Sequence, residues 1–170
     1  MSLHLNLRHL ESADQPIALH DVLQIGQWLL SRKDIKSAAP FEVNLTARLA
    51  ADVVEVAGES KGEVLFVCSR CLTEYKEELT VPSEHAFTKL KEIADADSED
   101  RIQWINGDLI DLSTYVQEDI LLDLPYVPQC NPGCKGLCPQ CGTNLNESSC
   151  DCKIETIDPR LEKLKQFFKE

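Results

Sequence analysis

The chain has 170 residues, 43% of them hydrophobic and 27% charged, with a formal net charge of −12. That balance belongs to a globular protein long enough to bury a core of its own. So large an excess of carboxylates argues against nucleic-acid binding through overall charge, because that affinity comes from Lys and Arg on phosphates. No apolar run approaches the roughly 18 residues that a membrane-spanning helix needs. Residues 1–10 alternate polar and apolar side chains without a continuous apolar stretch, so no secretory signal is expected. The expected compartment is the cytoplasm, where thiols stay reduced.

In chain order, Leu3, Leu5 and Leu7 alternate with His4, Asn6 and Arg8, which predicts a half-buried strand. Residues 21–33 place Val22, Ile25, Trp28 and Leu29 at helical spacing and are expected to be helical, with Gly26 weakening the pattern. Pro40 opens a strand-rich stretch. Phe41, Val43, Leu45, Ala47 and Leu49 alternate, residues 58–62 carry the turn chemistry of Gly58 and Gly62, and residues 63–68 and 75–87 read as two further strands. Such runs predict an antiparallel meander. Residues 92–111 are rich in Asp and Glu and read as an exposed loop. Residues 112–122 read as a helix capped by Asp111 or Thr114, with Leu112, Tyr115, Val116 and Ile120 on its buried stripe. Pro125 ends it. A last short helix is expected from Asp158, with Pro159 in its first turn and Leu161, Leu164 and Phe168 on one face.

The fold class that follows is α+β, with an antiparallel β-rich core, a few short helices and a C-terminal cysteine-rich zinc module. The expected division is a core domain over residues 1–125 and a zinc-binding module with terminal helix over residues 126–170. Two small basic groups, Arg32, Lys33 and Lys36, and Arg160, Lys163, Lys165 and Lys169, read as solvated helix faces.

The eight cysteines are Cys68, Cys71, Cys130, Cys134, Cys138, Cys141, Cys150 and Cys152. Two pairs have C-x-x-C spacing. In Cys138-Pro139-Gln140-Cys141-Gly142 the two thiolates sit on a tight turn, and Gly142 lets the backbone aim its amides at the sulfurs. Cys68-Ser69-Arg70-Cys71 repeats the spacing, and Arg70 offsets thiolate charge. Cys150-Asp151-Cys152 is too tight for easy mutual disulfide formation, yet its sulfurs can ligate one ion from one side of an extended segment. Zn2+, which favours four thiolates in a tetrahedron, ranks ahead of disulfides and of an iron–sulfur cluster, in one or two structural ions. A redox C-x-x-C ranks lower still.

Eight thiols allow one closed site with spares or two closed sites. The preferred partition places Cys138, Cys141, Cys150 and Cys152 on one ion, because their loops are short and closure costs little entropy. Cys68, Cys71, Cys130 and Cys134 would then hold a second. The rival partition joins the two C-x-x-C pairs, as in a zinc ribbon. Four-thiolate sites are saturated, whereas a catalytic zinc keeps an open position. His4, His9, His20 and His85 lie beside no cysteine pair and read as ordinary surface or strand histidines. No phosphate-cradling loop, G-x-S-x-G or H-E-x-x-H is present. No catalytic residues are assigned.

One resemblance covers nearly the whole chain. Its marks are Cys68-Ser-Arg-Cys-Leu72, then Ile110-Asp-Leu112 leading into Glu118-Asp-Ile-Leu-Leu122, and Leu124-Pro125. They continue through Cys134-Lys-Gly-Leu-Cys138-Pro-Gln-Cys-Gly142-Thr-Asn-Leu-Asn146, Cys150-Asp-Cys152 and Asp158-Pro-Arg-Leu161. In order and spacing these resemble the bacterial and plastid YceD family, described as large ribosomal RNA subunit accumulation proteins. The resemblance implies a non-enzymatic role in accumulating large-subunit ribosomal RNA and in ribosome assembly. Some members lack the C-terminal cysteines, which implies that the metal supports a version of the fold.

An acidic chain with such a role is expected to act through protein partners with basic surfaces, such as ribosome-assembly, RNA-processing or RNA-modifying proteins, with ribosomal RNA associated only indirectly. The alternative is a zinc-ribbon nucleic-acid-binding regulator. It needs a basic face beside the knuckle, and there Asp151, Glu147 and Glu155 counter Lys135 and Lys153. A thiol- or zinc-dependent enzyme ranks third.

Overall fold

The computed structural model describes residues 3–13, 15–24, 26–96 and 101–152. Three long strands carry the architecture: β4 (Phe41–Ala50), β5 (Val53–Val67) and β6 (Glu74–Thr88). Their side chains alternate in burial, as the pleat requires. Phe41, Val43, Leu45 and Ala47 point inward from β4. Val54, Val56, Ser60, Val64 and Phe66 do so from β5, and Leu79, Val81, Ser83 and Phe87 from β6. The inward positions of β5 keep one parity from end to end, so the strand runs 15 residues without a register break.

These strands form the predicted antiparallel meander. The full sheet has six strands in the order β2-β4-β5-β6-β7, with β3 also paired to β5. Strand β2 is Ile17–Leu23, β3 is Ile35–Ala38, and β7 is Ile102–Trp104. Along one edge of β5, β4 covers residues 53–61 and β3 covers residues 64–66, while β6 covers the other edge throughout. Strand β7 runs parallel to β6. The helix α3 (Lys91–Ala96) lies in the crossover between them, since parallel neighbours cannot be joined by a tight turn.

A second sheet of two short strands pairs β1 (His4–Asn6) with β8 (Leu109–Asp111). Each strand runs directly into a helix. Asn6 caps α1 (Leu7–Glu11) by accepting from the Arg8 amide, and Asp111 caps α4 (Leu112–Asp123) by accepting from the Ser113 amide. Helix α4 buries Leu112, Val116 and Ile120, one side chain per turn, in the cluster that also holds Leu3, Leu5, Leu7, Leu10 and the inward face of the sheet. Asp119 fastens the helix to β6: its Oδ2 accepts from Ser83 Oγ at 2.5 Å and lies 2.9 Å from His85 Nε2. The carboxylate stands between serine and histidine, so the trio works as a latch and not in the order a nucleophilic relay uses.

Four expectations change. The helix expected over residues 21–33 is instead the end of β2 followed by the four-residue α2 (Gln27–Leu30). Residues 17–23 alternate in burial with period two and pair with β4 along their whole length, and that pairing overrides the helical spacing. Residues 58–62 are not a turn but the middle of β5. A Cβ on Gly58 would meet Asn44 O at 2.0 Å, and one on Gly62 would meet the Phe41 ring at 2.5 Å. Glycine stands there because neighbouring strand and side chain come too close for anything larger. The actual β4–β5 turn is Ala51 and Asp52, with Ala51 at φ 53. The acidic stretch 92–111 contains most of α3, together with β7 and β8, among the described residues, and the N-terminal strand gives way to α1 at Leu7. The terminal helix expected from Asp158 lies outside the described residues.

Gly58→Ala should therefore destabilise the protein by about 1–3 kcal/mol, the range for forcing extra volume into a contact with no room for it, as read by chemical denaturation. A change below about 0.5 kcal/mol would show that the sheet yields at Asn44. Ser60, between the two glycines, is fully buried and its hydroxyl has no hydrogen-bond partner among the described residues. Ser60→Ala should be neutral or stabilising by up to about 1 kcal/mol, because it removes an unsatisfied polar group.

Candidate metal centres

Strands β5 and β6 are joined by residues 68–73, so the first C-x-x-C pair is itself the turn of the longest hairpin. Two backbone bonds close it: Cys68 N donates to Thr73 O at 2.9 Å, and Leu72 N donates to Cys68 O at 2.9 Å. The second pair repeats them atom for atom. Cys138 N donates to Thr143 O at 2.8 Å, and Gly142 N donates to Cys138 O at 2.9 Å. Both turns need a left-handed residue after the second cysteine, supplied by Leu72 at φ 59 and Gly142 at φ 73. A leucine in that conformation is strained.

The turns are joined to each other. Leu137 N donates to Arg70 O at 3.0 Å, and Asn144 Nδ2 lies 3.4 Å from Thr73 Oγ1. The segment leading to the second turn is fastened to the first by Ser69 N donating to Pro128 O at 2.9 Å.

This arrangement gathers all eight sulfurs into two sets. Cys68, Cys71, Cys130 and Cys134 form one and Cys138, Cys141, Cys150 and Cys152 the other, with the sulfurs of each set within 4.8 Å of one another. In the first set, Cys68 and Cys134 Sγ are 3.8 Å apart and Cys71 and Cys130 Sγ are 3.7 Å apart. A tetrahedron with metal–sulfur bonds of about 2.3 Å has edges of about 3.8 Å, whereas a disulfide bond is only about 2.05 Å long. All eight cysteines are free. Each set therefore offers four soft donors in a volume that suits one tetrahedral ion. The two C-x-x-C pairs do not share a set.

The surroundings favour thiolate charge. Arg70 N donates to Cys68 Sγ at 3.5 Å, Asn146 Nδ2 to Cys134 Sγ at 3.4 Å, and Asn131 Nδ2 to Cys130 Sγ at 3.5 Å. Cys71 Sγ lies 3.3 Å from Thr73 Oγ1, and Cys141 Sγ 3.1 Å from Thr143 Oγ1. Burial pushes the Cys68 thiol up, but amide hydrogen bonds from Cys130, Cys71 and Arg70 outweigh it and bring it from 9.0 down to about 6. Hydrogen bonds from the Thr143 hydroxyl and amide bring Cys141 down to about 6. Burial and shared hydrogen bonds with the neighbouring thiols drive Cys130 up to about 12, and the Cys141 side chain together with burial does the same for Cys152. Within each set the thiols pull apart, some lowered and others raised, as crowded titratable groups do.

Sequence reasoning missed the threonines and asparagines of these shells. Their signal lay in the repeat itself, because Cys-x-x-Cys-x-Thr occurs at residues 68–73 and again at 138–143. The two sets also differ in exposure. In the first set Cys68, Cys71 and Cys134 are buried and Cys130 is half-buried, whereas in the second Cys138 is buried, Cys141 is exposed, and Cys150 and Cys152 are half-buried.

A family model described as "Large ribosomal RNA subunit accumulation protein YceD" matches residues 56–168, a span that contains every cysteine. The chain belongs to the YceD family. An uncharacterized protein of Mycobacterium tuberculosis is 31% identical over 147 residues, covering 86% of this chain and 69% of the relative. The Bacillus subtilis protein YlbN is 27% identical over 159 residues, covering 92% and 90%. A Zea mays protein, named as a chloroplastic homolog of the large ribosomal RNA subunit accumulation protein YCED, is 43% identical over 77 residues, covering 44% of this chain and 26% of its own. No solved structure matches. Among the described residues no helix is long and apolar enough to cross a membrane.

Cys141→Ser should release metal from the exposed set alone and leave the unfolding of the sheet unchanged, whereas Cys68→Ser should lower the stability of the β5–β6 hairpin as well. Metal content and thermal unfolding of each variant check this, and equal losses from both would contradict it. Metal competes with protons for the sulfurs. Apparent affinity should already decline as pH drops below the raised Cys130 and Cys152 values of about 12, and decline more steeply below the lowered Cys68 and Cys141 values of about 6, as measured by chelator competition.

Proposed function

We propose that this protein is a non-enzymatic factor that supports the accumulation of large-subunit ribosomal RNA and ribosome assembly, acts through protein partners, and carries two structural zinc ions. The observation that carries the role is the YceD family match across residues 56–168. The relative from Zea mays carries the same description in its name. Zinc is favoured by the donor chemistry, since four thiolates with tetrahedral spacing suit it better than any oxygen-seeking ion. Bound there, zinc would cancel thiolate charge and cross-link the chain.

Four sulfurs saturate each ion, and that speaks for a structural metal over a catalytic one. The net charge of −12 favours protein partners over direct contact with phosphates. A zinc-ribbon nucleic-acid regulator is less favoured, because Glu147 and Asp151 stand beside Lys135 around the second turn.

Depleting the protein should lower large-subunit ribosomal RNA relative to small-subunit RNA, read by quantitative RNA analysis. Unchanged ratios would refute the proposal. Material purified under reducing conditions should contain about two zinc ions per chain, one per tetrathiolate set. Elemental analysis finding iron instead, or no metal, would contradict the zinc assignment.

A further inference from the structure

Between α4 and the first cysteine set the chain crosses six residues that are pinned at both ends. Arg32 Nη2 donates to Pro125 O at 2.8 Å, and Ser69 N donates to Pro128 O at 2.9 Å. The two prolines restrict the backbone further. Between them Tyr126 and Val127 point into solvent, at 96% and 50% exposure, and Leu122 on the last turn of α4 is 85% exposed. Large apolar side chains held out in this way are presented on a rigid support. Grooves lie on both sides. Leu122 lines one with Pro82, Asp119 and Asp123, and Val127 lines the other with Tyr75 and Glu77.

The unpaired charge around this ridge is negative. Glu77, Glu118 and Asp123 enter no salt bridge among the described residues. The nearby cations are already engaged, Lys76 with Glu63 and Arg32 with Asp34. A second copy would bring the same carboxylates to face their own kind, and RNA would bring phosphates. Rigid apolar anchors inside an acidic rim match a partner with apolar side chains among lysines and arginines.

We infer that Leu122, Tyr126 and Val127 form the docking surface for a basic protein segment that carries apolar anchors. This deepens the proposed role and rests on its claim that the protein works through protein partners. The side chains are exposed enough that changing them leaves the fold intact.

The test places the photo-crosslinker p-benzoylphenylalanine in the full-length protein in its host cell, as Tyr126→p-benzoylphenylalanine, with Leu109→p-benzoylphenylalanine on β8 as the control. Position 126, and not position 109, should give an adduct whose crosslinked peptide, identified by mass spectrometry, is rich in Lys and Arg. Adding Leu122→Glu should cut the yield at least about tenfold, and raising salt from about 0.1 to 0.5 M should weaken binding of the purified partner. Adducts to RNA, to a second copy or to residues 153–170 of the same chain would overturn the inference, as would a yield unaffected by Leu122→Glu. An identified basic partner with no link to ribosome assembly would sustain the surface and remove the ribosomal reading. Full rescue of ribosomal RNA levels by the doubly altered Leu122→Glu, Tyr126→Ala protein would do the reverse.

Discussion

Four thiolates cannot share a volume with their sulfurs under 4.8 Å apart unless a cation lies among them or protons remain on some of them. Much of the carboxy-terminal architecture follows from that constraint. The amides of the two turns and the side chains of Thr143, Asn131 and Asn146 approach the sulfurs, each supplying part of the compensation, while Thr73 Oγ1 accepts from the Cys71 thiol. What they leave uncompensated is visible in Cys130 and Cys152, both driven up to about 12. A metal ion bound there would complete the balance and at the same time tie together segments that are far apart in the chain.

The first set is the more consequential of the two for the fold. Its cysteines come from the tip of a hairpin with two 15-residue strands and from the segment after α4, some sixty residues later. The tip is a stiff base, because β5 is paired along both edges and its glycines let Phe41 and Asn44 press close. The strained Leu72 turn is held in place by bonds from both sides. Through Ser69 and Pro128 the same tip fixes the direction in which the chain leaves the core, and so the presentation of Tyr126 and Val127.

An acidic protein in a family described by ribosomal RNA accumulation poses a physical question, since phosphates and carboxylates repel. On the proposed reading a division of labour answers it. Metal in the two cysteine sets and the latch of Asp119 on Ser83 and His85 would hold the scaffold, while Leu122, Tyr126 and Val127 with the carboxylates around them would offer a surface to a basic protein. Nothing in that arrangement requires the chain to touch RNA itself.

Local chemistry was readable in the residues alone. The alternation of β4 and β6, the Asp111 cap and apolar stripe of α4, and the sulfur-bearing turns each depend on neighbours within a few positions, so periodicity and spacing expressed them. Other features depended on distant partners. Residues 17–23 became a strand because β4 lay beside them, and Gly58 and Gly62 proved to be points of close approach because Asn44 and Phe41 arrived there from another strand. The grouping of the eight sulfurs was likewise undecidable from spacing, which permitted either partition. Only the docking of the second turn against Arg70 and Thr73 brought Cys130 and Cys134 to the hairpin tip, because that contact joins residues that no local pattern relates.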